Sequence, residues 1–188
     1  MDTTEYNGFI QQSKLNEHFL IRVVVLAVFT VYGCGTSTEM REGGNTTSEM
    51  MALGVVDRAV FERLEYHEFK ATYDTVTIKQ EFVDIIRDAV TGIDVTVFFG
   101  TWCSDSRREV PRFLKVADLA GFPPERIAFY GLDRSKKSQD GLTEKYHIER
   151  VPTIIFFRNG SEVGRITETP RTTMEADMLS ILAEGRSY

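Results

Sequence analysis

Apolar residues along this chain recur at two spacings, and the two alternate. Across residues 50–73, Val56, Val60, Phe61, Leu64 and Phe69 fall three to four apart, which predicts a helix broken near residues 65–67. Residues 76–89 repeat the period through Ile78, Phe82, Ile85 and Ile86, and Thr91-Gly92 ends that helix. The pattern then changes to a short β-branched and aromatic run, residues 95–99 (VTVFF), the signature of a strand buried on both faces. A helix over 104–120 follows, apolar at Val110, Phe113, Leu114, Val116 and Leu119. Pro111 lies inside it and removes one backbone hydrogen bond. Residues 127–132 form a second buried strand closed by Asp133, and 142–146 suit a short helix. Residues 153–157 and 162–166 pair as a hairpin across Arg158-Asn159-Gly160-Ser161, and 174–184 close the chain as a helix with Met178, Leu179 and Leu182 inward. The order is helix, strand, helix, strand, helix, hairpin, helix. It implies an α/β fold with a central mixed β-sheet, parallel where strands and helices alternate and antiparallel at the hairpin, flanked by helices on both faces.

Composition narrows the partners. The 188 residues are 42% hydrophobic and 27% charged, with a formal charge of −6 and a pI near 5.2. An acidic chain without a Lys/Arg stripe argues against nucleic acid. Two cysteines, Cys34 and Cys103, make neither a disulfide scaffold nor a cysteine-based zinc site, and His18, His67 and His147 have no ligand spacing. No metal or cofactor is expected.

The first forty-nine residues read as an address. Residues 23–33 (VVVLAVFTVYG) are an uncharged apolar run behind Lys14 and Arg22, too short to span a bilayer and the length of an export signal. The run ends in Val31-Tyr32-Gly33-Cys34, which resembles the lipobox of bacterial lipoproteins. That resemblance implies cleavage after residue 33 and lipidation of Cys34, with the protein anchored in a bacterial cell envelope and facing the periplasm or the exterior. A secreted soluble protein is the alternative. Residues 34–49, rich in Gly, Ser and Thr, cannot bury enough surface to fold and read as a flexible tether. The expected organisation is a signal peptide at 1–33, a tether at 34–49, a helical extension at 50–73 and a domain at 74–188.

The chemistry centres on Gly100-Thr101-Trp102-Cys103-Ser104-Asp105-Ser106. A cysteine between a buried strand and a helix start sits where free N–H groups and the helix dipole favour a negative charge. Arg107 and Arg108 push the same way, and Asp105 opposes them.

Here the residues resemble the thioredoxin superfamily over residues 74–188. The match is carried by a strand followed by Trp102-Cys103-x-x-Ser106, by Pro111 eight after the cysteine, and by residues 146–160 (YHIERVPTIIFFRNG), which look like the family's cis-proline strand and hairpin. The Asp105-Ser106 pair resembles a variant group within it. The resemblance implies a cis bond before Pro152 that brings Val151 beside Cys103, with Val151 offering backbone hydrogen bonds, Pro152 shaping the wall and Trp102 covering the flank. Arg150 stands where many members have a small residue, and Glu168-Thr169-Pro170 replaces a small glycine-bearing loop. Val97 occupies the position of the family's buried acid.

A dithiol enzyme needs a second thiol to release its substrate. Ser106 can hydrogen-bond the Cys103 sulfur but cannot form a disulfide. Three readings follow. Cys103 forms mixed disulfides with exported protein thiols or small thiols, resolved by an external reductant. Alternatively, the domain keeps a peptide groove without redox turnover. The third is thiol-peroxidase-like chemistry near Arg107 and Thr101.

Overall fold

The computed structural model describes residues 51–63 and 66–184, so the proposed signal, Cys34 and the tether lie outside the described residues. Five strands form one sheet in the order β1-β3-β2-β4-β5, comprising β1 Gly54–Val56, β2 Ile93–Phe99, β3 Ile127–Gly131, β4 Thr153–Arg158 and β5 Ser161–Thr167. β2 and β3 are parallel, and every other pairing is antiparallel. The helices are α1 His67–Thr75, α2 Gln80–Ala89, α3 Ser104–Leu119, α4 Leu142–Lys145 and α5 Met174–Glu184.

The expected mixed sheet with flanking helices is present, and its two faces are covered unequally. Alternation along β2 sends Ile93, Val95, Val97 and Phe99 into one cluster with Phe69 of α1, Ile86 of α2, Phe113 of α3 and Met178 of α5. Phe98 points the other way, to a smaller cluster with Tyr130, Leu132, Tyr146, Ile155 and Phe157, over which lie α4 and its flanking loops. The hairpin turn is the two-residue Asn159-Gly160, both with positive φ (52° and 78°), the geometry whose twist matches the adjoining strands.

The stretch expected as one broken helix over 50–73 folds otherwise. Gly54–Val56 is a strand, Arg58–Glu62 a 3-10 turn capped by the Asp57 carboxylate on the Ala59 N–H, and the helix begins only at His67. Val56, Val60 and Phe61 do face the core, but from a strand and a turn, whose spacing happens to coincide with a helical one. In α2 the inward stripe is Phe82, Val83, Ile86 and Ala89, while Ile85 is 53% exposed and Leu119 of α3 is 40% exposed.

β1 fits only because residue 131 is glycine. A Cβ on Gly131 would overlap the backbone carbonyl of Ala52, with the carbonyl carbon 2.7 Å away. Gly131→Ala is therefore expected to lever β1 off β3 and destabilise the fold by about 1–3 kcal/mol. Hydrogen exchange checks this: amides of residues 54–56 should lose protection while those of β2 keep theirs.

Asp118 ties the N-terminal elements to α3. It accepts from Arg58 Nη1 at 2.7 Å and from the Tyr73 hydroxyl at 2.6 Å, and Lys115 lies 4.5 Å from the Tyr73 ring centroid. Burial pushes the Asp118 carboxyl up, but its bonds from Arg58 and Tyr73 outweigh this and hold it below its ordinary value. A depressed carboxylate stabilises the fold above its unfolded pKa, and that stabilisation fades as pH falls through the folded value. Asp118→Asn should cost about 1 kcal/mol at neutral pH, a figure kept small because the pair is about a third exposed. The gap between variant and parent should shrink as pH is lowered below about 4, read from urea midpoints at several pH values.

Candidate active site

Cys103 is the N-terminal cap of α3, in extended backbone geometry, with its own N–H bonded to the Gly100 carbonyl at 3.0 Å. β2 delivers it. The strand ends at Phe99, Gly100 and Thr101 turn the chain, and α3 starts at Ser104. The Cys103 side chain is half-buried against the smaller cluster, and among the described residues it is the free cysteine.

Val151 and Pro152 are joined by a cis peptide bond, as the resemblance implied. The Cys103 thiol donates to the Val151 carbonyl at 3.3 Å, so the two stretches 48 residues apart meet at the sulfur. Behind them the Pro152 carbonyl accepts from the Glu168 N–H at 2.7 Å, and the Thr153 hydroxyl donates to the Arg150 carbonyl at 2.7 Å. Val151 and Pro152 are buried. Arg150 is exposed and forms an ion pair with Glu168 at 2.6 Å, so the substitutions noted at these two positions answer each other.

Trp102 packs against the smaller cluster, and its indole N–H donates to the Leu132 carbonyl at 2.8 Å. The strand end beneath it has no room for a side chain: a Cβ on Gly100 would lie 2.7 Å from the indole atoms Cε2 and Nε1. The outer face of the ring carries the Arg134 guanidinium, 5.1 Å from the centroid.

Ser106 is fully buried, and its hydroxyl oxygen accepts from the Gly100 N–H at 3.2 Å. Its observed role is to hold the strand end to the first turn of α3, whereas sequence spacing aims it at the sulfur. The charged residues expected around the thiol are already engaged. Arg107 pairs with Glu68 of α1 at 2.7 Å and reaches the Thr101 carbonyl at 3.4 Å. Arg108 bonds Asp105 at 2.7 Å and the buried Glu109 at 2.6 Å. Val97 is fully buried in the larger cluster and contributes no acid. Thr101 is buried, with its hydroxyl unpartnered among the described residues.

Cys103, Trp102, Val151 and Pro152 are thus brought together, Ser106 and Arg107 brace the corner, and Arg150 stands outside it. Nothing local in the chain points to Leu132, Glu68 or Arg134 as supports, since each acts across the fold. The one local signal is the basic run at 134–137.

Comparison with known proteins agrees with this geometry. A family model described as thioredoxin matches residues 60–180, more than half the chain. The chain is 33% identical over 91 residues to a thioredoxin of Echinococcus granulosus, covering 47% of this chain and 79% of that one. It is 31% identical over 91 residues to a thioredoxin of Malassezia sympodialis, covering 46% and 82%. Among solved structures, a protein of unknown function from Pseudomonas aeruginosa shares the fold with a TM-score of 0.53 at 14% identity, over 69% of this chain and 91% of that one. The chain belongs to the thioredoxin family.

Proposed function

We propose that this protein carries out thiol–disulfide exchange through the single thiol of Cys103. The observation that supports this reading most is the meeting of a half-buried cysteine at the start of α3 with the Val151 carbonyl, 3.3 Å away, on the wall made by Pro152. An extended polypeptide lying along that wall would present its own sulfur to Cys103. The Cys103 thiolate attacks one sulfur of the partner's disulfide, a Cys103–partner S–S bond forms, and the second partner sulfur leaves as a thiolate. Ser106 offers no sulfur for the return attack, so an external thiol must cleave the mixed disulfide and restore Cys103. The same buried serine, with Val97, favours a second reading: a groove that binds such polypeptides without turnover.

The test uses a Cys34→Ser chain, in which Cys103 is the remaining thiol, mixed with a model peptide disulfide. Intact mass should show one peptide adduct on Cys103, removed by glutathione and absent in Cys103→Ser. A folded chain that yields no adduct overturns the exchange reading, and retained peptide binding in Cys103→Ala would then favour the groove. For location, we propose lipid anchoring in a bacterial envelope through Cys34, on the strength of Val31-Tyr32-Gly33-Cys34. Intact mass of membrane-extracted protein should show Cys34 as an acylated first residue.

A further inference from the structure

We propose that the cavity enclosed by the 3-10 turn, α1 and α3 is a binding site for an uncharged aromatic molecule one ring in size. Its floor is buried and apolar: Phe61 comes from the turn, Phe69 from α1, and Pro111 and Leu114 from α3. Arg58 and Tyr73 stand half-buried at its sides, and exposed Glu62, Lys70 and Asp74 line its mouth. The cavity volume is about 170 Å³. Apolar cavities of about 150 Å³ accept benzene, so one ring with a small substituent matches the space.

The walls are held by contacts within the chain. Asp118, which does not itself line the cavity, accepts from both Arg58 and Tyr73 and so fixes a side chain of the turn against one of α1. Phe61 and Phe69 pack with centroids 4.9 Å apart and planes 31° from parallel, and Phe61 is wedged further against Phe99 and Phe129 at 5.0 and 5.1 Å. Pro111 brings a ring that has no N–H to offer. A preformed apolar space between aromatic rings favours a flat ligand, which can lie offset or edge-on against them.

Charge around the cavity balances with every group counted in full. Arg58 and Lys70 line it together with Glu62 and Asp74, and Asp118 behind Arg58 is matched by Lys115 over the Tyr73 ring. An ionic ligand would find no excess of opposite charge to offset the water it sheds on the buried floor. An uncharged ring avoids that loss and can turn a hydroxyl outward to the polar mouth.

The position also ties the cavity to the cysteine corner. Glu68 directly precedes Phe69, and Arg107, its ion-pair partner beside the thiol, lies one helical turn before Pro111. A bound ring would clamp α1 to α3 next to that pair, and a ligand held only by the folded chain stabilises it.

Phenol added to the Cys34→Ser chain tests the site. Aromatic resonances of Phe61, Phe69 and Tyr73 should shift saturably with a Kd of about 1 mM, the strength expected of so small a ligand. Intermolecular NOEs should run from phenol to the Leu114 methyls and the Phe69 ring, and amides of residues 67–75 should gain protection from hydrogen exchange. Leu114→Trp, which places an indole in the space, should weaken binding by about tenfold or more. Where that variant does not fold, the NOEs in the parent chain decide alone. Benzoate, benzylammonium and cyclohexanol should each bind about fivefold or more weakly than phenol. No saturable shift, NOEs that put phenol elsewhere, or unchanged binding in folded Leu114→Trp overturns the site. Equal binding by any of the three other compounds overturns its assignment to an uncharged aromatic.

Discussion

Replacing Ser106 with cysteine is expected to create an insulin-reducing activity, driven by dithiothreitol, about tenfold or more above the parent chain. The parent can form a mixed disulfide at Cys103 but has no neighbouring sulfur to break it. A thiol at position 106 sits one helical turn from Cys103, on the buried side of the corner, where it can attack the mixed disulfide and close an internal disulfide with Cys103. The substitution is nearly conservative in volume. Its structural cost is the Gly100 N–H, which now bonds the Ser106 oxygen at 3.2 Å and would face a weaker sulfur acceptor. That loss is about 0.5–1.5 kcal/mol, small beside the gain of a resolving path. Insulin turbidity measures the rate, and intact mass reports the internal disulfide. A variant that forms the disulfide yet leaves insulin untouched would show that the cleft does not present polypeptide sulfurs to Cys103.

The second large effect concerns stability. Phe99→Ala is expected to lower the unfolding free energy by about 3–5 kcal/mol. The ring is fully buried at the last position of β2, with its centroid 5.0 Å from that of Phe61 and 6.3 Å from that of Phe69. Removing it opens a void where the strand meets both the 3-10 turn and α1, so neither can close it without leaving the other. For a chain of this length the thermal midpoint should fall by about 6–20 °C. Ile85→Ala, at a position 53% exposed, serves as the contrast and should change stability by no more than about 0.5 kcal/mol. A Phe99→Ala loss as small as that of Ile85→Ala would mean the aromatic cluster does not carry the packing of this corner.

Features set by neighbours in sequence are legible without coordinates. The Asn159-Gly160 turn, the proline inside α3 and the strand before Trp102 follow local rules of backbone conformation. The cis bond at Pro152 is readable only through a resemblance. β1 is hidden because three residues beginning with glycine carry no period, and their reason to be extended is a partner strand more than seventy residues away, at Gly131. The same distance hides the site's supports. Arg107 can be placed near the thiol from spacing alone, but its engagement by Glu68 depends on how α1 packs on α3. Spacing likewise puts Ser106 within reach of the sulfur, yet the turn at Gly100 claims its oxygen first.

The two rims of the sheet meet a foreign backbone differently. β5 presents Glu162 and Arg165 clamped together at 2.6 Å, with Arg165 also held to the Tyr146 carbonyl, a charged border that discourages another strand from adding on. Among the described residues β1 has no such border. It is three residues long, and Leu53 and Val55 beside the edge that no described strand pairs with are 57% and 44% exposed. In concentrated solution, self-association of the folded chain should therefore start at the β1 rim. A lysine in place of Val55, which points away from the larger core, is the change that would keep such solutions clear.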